Sequence, residues 1–108
     1  MNKKKNIQKD ISLLELILLK IERYFDNKLP ISSLSYDLEN YLNQIITIDR
    51  SWGKKFRLIW LDIEIAYSLA LDNGLEEPTS EEKIIAENSI MSLKKMAQDK
   101  LTNLKIEM

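Results

Sequence analysis

The stretch DRSWGKKFRLIWLDIEIAYSLALDNG, from Asp49 to Gly74, is apolar on two sides of a helix, and this constrains the chain more than any other feature. At 100° per residue, Trp52, Phe56, Ile59, Trp60, Ile63, Ala66, Tyr67 and Ala70 fall on one side. Leu58, Leu61, Ile65 and Leu69 form a second stripe roughly opposite. A helix apolar on two faces has to be covered on both. Either it lies centrally and packs against three neighbours, or its second stripe meets a partner or a second copy, as large exposed apolar patches do. Asp49 stands where an N-cap is needed, and Asn73-Gly74 is a C-terminal stop.

The flanking segments are also helical in period. Ile7, Ile11, Leu14, Leu18, Ile21 and Phe25 recur at spacings of four and three, and Leu13, Ile17 and Tyr24 widen that stripe. This predicts a helix over about 10–27, ended by NKLP because Pro30 disfavours a helical Leu29. Residues 1–9, with the cluster Lys3-Lys4-Lys5, are expected to be a flexible basic terminus. A second helix over about 32–47 takes Ser32 or Ser33 as N-cap and buries Leu34, Leu38, Tyr41, Leu42 and Ile45. The run IITI, Ile45 to Ile48, is expected to finish it. The third helix covers about 50–73 and the fourth about 80–105. The fourth opens on a capping box, Thr79 with Glu82, and carries Ala86, Ile90, Leu93, Ala97, Leu101 and Leu104 in one narrow stripe. Two glycines and two prolines in 108 residues leave room only for short connections. The fold class that follows is all-α, a single-domain four-helix antiparallel bundle.

The same residues exclude most chemistry. With no cysteine and no histidine there is no disulfide, no thiolate nucleophile, no Cys/His zinc site and no imidazole acid or base. Phosphate-binding loops, dinucleotide fingerprints and EF-hands are absent, so no enzyme activity and no cofactor or metal is expected. The apolar run after the basic start is interrupted by Glu15, lacks a small-residue cleavage site and is too short to span a bilayer; a cytoplasmic protein without a membrane partner is expected. A net charge of −1 argues against a nucleic-acid binder. WGKKFRLIW interleaves aromatics with Lys54, Lys55 and Arg57, but Trp52, Phe56 and Trp60 share one i, i+4 stripe that faces the core, so bases could not stack on them.

Four features remain as candidates for binding a protein. From Asp72 to Glu82 the chain carries Asp72, Glu76, Glu77, Glu81 and Glu82 with no basic residue, either a solvated turn or an acidic surface that steers a basic partner. Tyr36 points outward among amides and carboxylates, and tyrosine is a residue type enriched at interface centres. Leu58, Leu61, Ile65 and Leu69 are the alternative, apolar interface. Asp62 and Glu64, in narrow polar sectors seven residues after Lys55 and Arg57, read as partly solvated charged strips with weak salt bridges or as carboxylates held toward a basic partner.

Ile31, Ser32, Leu34, Asp37, Leu38 and Glu39, followed by Trp52, Phe56, Trp60, Ile63, Glu64, Tyr67, Ala70, Leu71 and Asp72, form a pattern over about two-thirds of the chain. It resembles small helical immunity proteins of contact-dependent growth inhibition and related polymorphic toxin systems. The resemblance implies a protein that binds the toxic C-terminal domain of a partner, in some systems a nuclease, and blocks it. The motif is mostly a core signature and carries over no toxin-contacting residue. A self-associating structural or regulatory helical module, with homodimers formed through the Leu58 stripe, is the other reading.

Overall fold

One apolar stripe from each helix forms one side of a four-sided core. The structure, a computed structural model, describes residues 3–75 and 78–107. It is built of α1 (Lys3–Phe25), α2 (Ile31–Gln44), α3 (Arg50–Asp72) and α4 (Ser80–Glu107), and there is no strand among the described residues. Consecutive helices run antiparallel, α4 closes back onto α1, and α1/α3 and α2/α4 are the diagonal pairs of the ring. The result is an all-α four-helix antiparallel bundle, a rod of 49 × 25 × 19 Å. No helix among the described residues is long and apolar enough to cross a membrane.

Leu14, Ile17, Ile21, Leu34, Leu38, Phe56, Ile63, Ile90 and Leu93 are fully enclosed, each worth about 1.5–3 kcal/mol of burial. Such packing is non-directional, and polar links on the four seams select the neighbours. Lys20 pairs with Asp37 at 3.2 Å across α1/α2, and Arg57 meets Glu39 and Asn43 across α2/α3. The Ser89 hydroxyl donates to Asp62 across α3/α4, while Glu15–Lys105 and Tyr24–Glu87 span α1/α4. The Trp60 indole N–H donates to the Ser35 carbonyl at 2.9 Å, which fixes the height of α2 against α3.

The connections are short because the helix ends satisfy themselves. After α1, Asn27 takes a left-handed φ of 60°, with Asn27 N–H bonded to the Tyr24 carbonyl and Lys28 N–H to that of Arg23. After α3, Gly74 at φ 71° does the same, its N–H on Leu71 and that of Leu75 on Ala70. Both are Schellman motifs, and asparagine and glycine are the residues that accept this backbone at least cost. At the start of α4, Glu82 N–H donates to the Thr79 hydroxyl and Thr79 N–H to the Glu82 carboxylate, the expected capping box.

Four local expectations are corrected. Residues 3–9 are not a loose tail but the first turns of α1, because Ile7 is buried in the core and the end of α4, reaching Glu107, lies beside them. Neither Ser32 nor Ser33 caps α2. The helix starts one residue earlier, at Ile31, with Pro30 in the cap position and no side-chain cap. Asp49 occupies the N-cap of α3, but its carboxylate accepts from the Ser51 hydroxyl rather than from a helix N–H. IITI does not finish α2, which ends at Gln44; Ile45 is extended and a connection runs to Asp49.

The cause of that last difference lies on α1. Asp10 is 0% exposed, and its carboxylate accepts the N–H of Ile46 at 2.9 Å, the N–H of Thr47 at 2.6 Å and the Thr47 hydroxyl. A buried carboxylate needs such donors, and a helix continuing through Thr47 would have used the same N–H groups internally. Replacing Asp10 by alanine strands these donors and is expected to destabilise the fold by about 3 kcal/mol in urea denaturation. The Ser35 hydroxyl is the opposite case, buried without a hydrogen-bond partner among the described residues. Ser35→Ala is therefore expected to leave the urea midpoint unchanged or raise it, by up to about 1 kcal/mol.

Candidate functional site

The site expected from sequence depended on what covers α3. Its first face is core: Phe56, Trp60, Ile63, Ala66 and Ala70 are buried, and Trp52, Ile59 and Tyr67 pack against them. Trp52 and Phe56 lie ring to ring at 5.2 Å, with Phe56 and Trp60 buried and Trp52 half-buried against the core. The second face is bare. Leu58, Leu61, Ile65 and Leu69 are 67%, 42%, 56% and 44% exposed. The central position with three neighbours is not what the fold adopts, because α3 packs against α2 and α4 alone and the opposite side of the helix has no element left to meet it.

This strip does not stand alone. Where α3 leans on α4, Ile65, Ala66 and Leu69 form a shallow groove with Ile85, itself exposed, and Asp62 and Glu82 stand at its edges. Asp72 and Glu81 are exposed at the same end of the bundle. The apolar strip and the acidic residues, two separate candidates in the sequence, are thus parts of one α3/α4 face. Glu82 has a structural duty there, in the capping box. Glu76 and Glu77 lie outside the described residues. Tyr36 is 71% exposed but is not at the acidic end. The Trp60–Ser35 hydrogen bond sets it level with Trp60 and Leu61, on the α2 side of the strip.

The charged sectors of α3 also resolve. Asp62 does not pair with Lys55, nor Glu64 with Arg57, because seven residues of helix separate them by about 10 Å. Asp62 instead accepts from Ser89 of α4, and Arg57 reaches across to Glu39 and Asn43 of α2. Ile85 of α4 was the member of the face that sequence reasoning missed. Its signal was an isoleucine outside the narrow α4 stripe, which gains meaning only beside Leu69.

Elsewhere, an open cleft of about 530 Å³ lies between the α1–α2 turn and α4, lined by Tyr24, Phe25, Lys28, Pro30, Lys83 and Glu87. Tyr24 donates to Glu87 at 2.9 Å there, a link between α1 and α4. No group of acidic residues suited to a metal ion occurs among the described residues.

Fold and face together define a four-helix bundle with an unpacked apolar strip on the outer side of α3. No family model matches the chain, and neither a curated protein nor a solved structure matches it.

Because Leu58 and Ile65 are exposed and Ile63 is enclosed, Leu58→Gln and Ile65→Gln should each change the monomer's stability by no more than about 0.5 kcal/mol, whereas Ile63→Ala should cost about 2–5 kcal/mol. Thermal unfolding of the three variants followed by circular dichroism measures the contrast.

Proposed function

We propose that this protein is a non-catalytic immunity protein that binds the toxic domain of a bacterial competitor-killing protein and blocks it, in the bacterial cytoplasm. The observation that carries the reading is the α3/α4 face, where an unpacked apolar strip adjoins the exposed carboxylates of Asp72 and Glu81, which have no ion-pair partner among the described residues. A strip of leucine and isoleucine supplies anchors that can be desolvated on binding, and flanking carboxylates supply steering toward a basic surface. A nuclease has such a surface where it holds nucleic acid, which makes it the partner class that best fits the acids. Asp72, Glu81 and the neighbouring Glu76 and Glu77 are the steering groups in this reading, and Leu58, Leu61, Ile65 and Leu69 the anchors. Tyr36 extends the contact on the α2 side. Inhibition of this kind works by occlusion and asks nothing of the inhibitor but a stable scaffold, consistent with a chain lacking histidine and cysteine.

Co-expression with the toxin domain encoded beside it tests the reading. Growth should be rescued and a stable complex should be recoverable. Reversing Asp72 and Glu81 together to lysine should lower the association rate by about tenfold or more at low salt, with a smaller loss at high salt. Absence of both rescue and complex would overturn the assignment.

A further inference from the structure

The outer face of α3 reads almost the same in both directions. Counted from Ile63, Leu61 and Ile65 lie two positions away on either side, Leu58 five and Leu69 six, and Lys54 and Asp72 nine. All six outward residues are exposed. The apolar centre is thus symmetric, while the two ends carry opposite charges. That combination is what a two-fold axis across an antiparallel helix pair requires, since the same patch must complement itself.

The end charges are also placed against the interest of the isolated helix. The helix N-terminus is the positive end of its dipole, yet Arg50, Lys54 and Lys55 lie in its first two turns, and Asp72 closes the negative end. The first turn holds no acid and the last turn no base. Neither Lys54 nor Asp72 has an ion-pair partner among the described residues. An antiparallel second copy would bring Lys54 opposite Asp72 at both ends, a complementarity that a single copy lacks.

We infer that this protein forms a two-fold symmetric homodimer by antiparallel pairing of α3 with α3 of a second copy. Leu61 and Ile65 of each copy meet those of the other at the axis. Leu58 of one copy comes level with Leu69 of the other, at the groove between α3 and α4 that Ile65, Leu69 and Ile85 line. Lys54 faces Asp72 of the opposite copy at both ends. One helix seam is a small interface, so association is of modest strength, with a dissociation constant of about 1–100 µM. The dimer uses the face assigned above to toxin binding, but it stands on the pattern of the strip and needs no other protein. A dimer that shares this face is a stored form of the inhibitor, opened by whatever binds the strip more tightly.

Sedimentation velocity on the full chain tests it, over protein concentrations of about 1–500 µM that bracket that affinity. Wild type should pass from monomer to dimer across this range, and Leu61→Glu should weaken the association by about tenfold or more while retaining the helical circular dichroism signal. Lys54→Asp and Asp72→Lys should each weaken it about five- to tenfold, and the double reversal should restore it. Both reversals favour the helix dipole, so each should raise rather than lower the melting temperature, which separates loss of pairing from loss of fold. Wild type that stays monomeric throughout overturns the inference, as does a dimer indifferent to Leu61→Glu or a double reversal no better than the single ones. Because the protein is studied alone, a monomer here leaves the toxin-binding reading standing, and a dimer with no rescue in co-expression removes that reading and keeps this one.

Discussion

The carboxylate of Asp10 is the contact on which the arrangement of the bundle depends. Apolar packing holds four helices together but specifies their heights poorly, since one leucine layer can slide toward the next. Asp10 is fully enclosed and takes donors from Ile46 and Thr47, 36 and 37 residues further on. Enclosing a carboxylate costs several kcal/mol unless its oxygens are satisfied, so any sliding of α1 against the α2–α3 connection is penalised steeply. The pin acts at one end of the bundle, and the Trp60–Ser35 hydrogen bond acts in its middle. Between them they fix where α3 begins and how it is rotated.

That rotation has a functional consequence. With Phe56, Trp60, Ile63, Ala66 and Ala70 turned inward, Leu58, Leu61, Ile65 and Leu69 have to point away from the bundle. A closed ring of four helices gives each member two neighbours and a solvent side. An apolar strip on that side costs solubility and contributes nothing to the monomer's core. It lies beside charges that oppose their own helix dipole, and that combination is what the proposed binding roles rest on.

Much of the fold was legible in the residues, because helix stripes and helix ends are local. The narrow stripe of α4, the Thr79–Glu82 capping box and the Asn73-Gly74 stop each depend on groups within a few positions of one another. Errors arose where a local preference met a distant partner. From local signals Asp10 reads as the residue that begins a helix, and the β-branched IITI as the end of one. Each misled because the other was missing, as a carboxylate and the N–H groups it binds carry no shared signature along the chain. The helical state of the basic start is hidden for a similar reason, since only the length of α4 decides whether Ile7 finds cover.

The candidate face divides in the same way. The sequence by itself determined that α3 is apolar on two sides, that acids follow it, and that no histidine or cysteine chemistry is open to this protein, because composition and a 3.6-residue period are properties of the chain alone. Only the tertiary structure decided which stripe is core, that Asp62 serves Ser89 rather than Lys55, and that Ile85 and Glu82 join the strip and the acids into one surface. The physical reason is that a helix wheel gives angles about one axis, whereas exposure depends on how many other axes surround it, and that number follows from the packing of all four helices together.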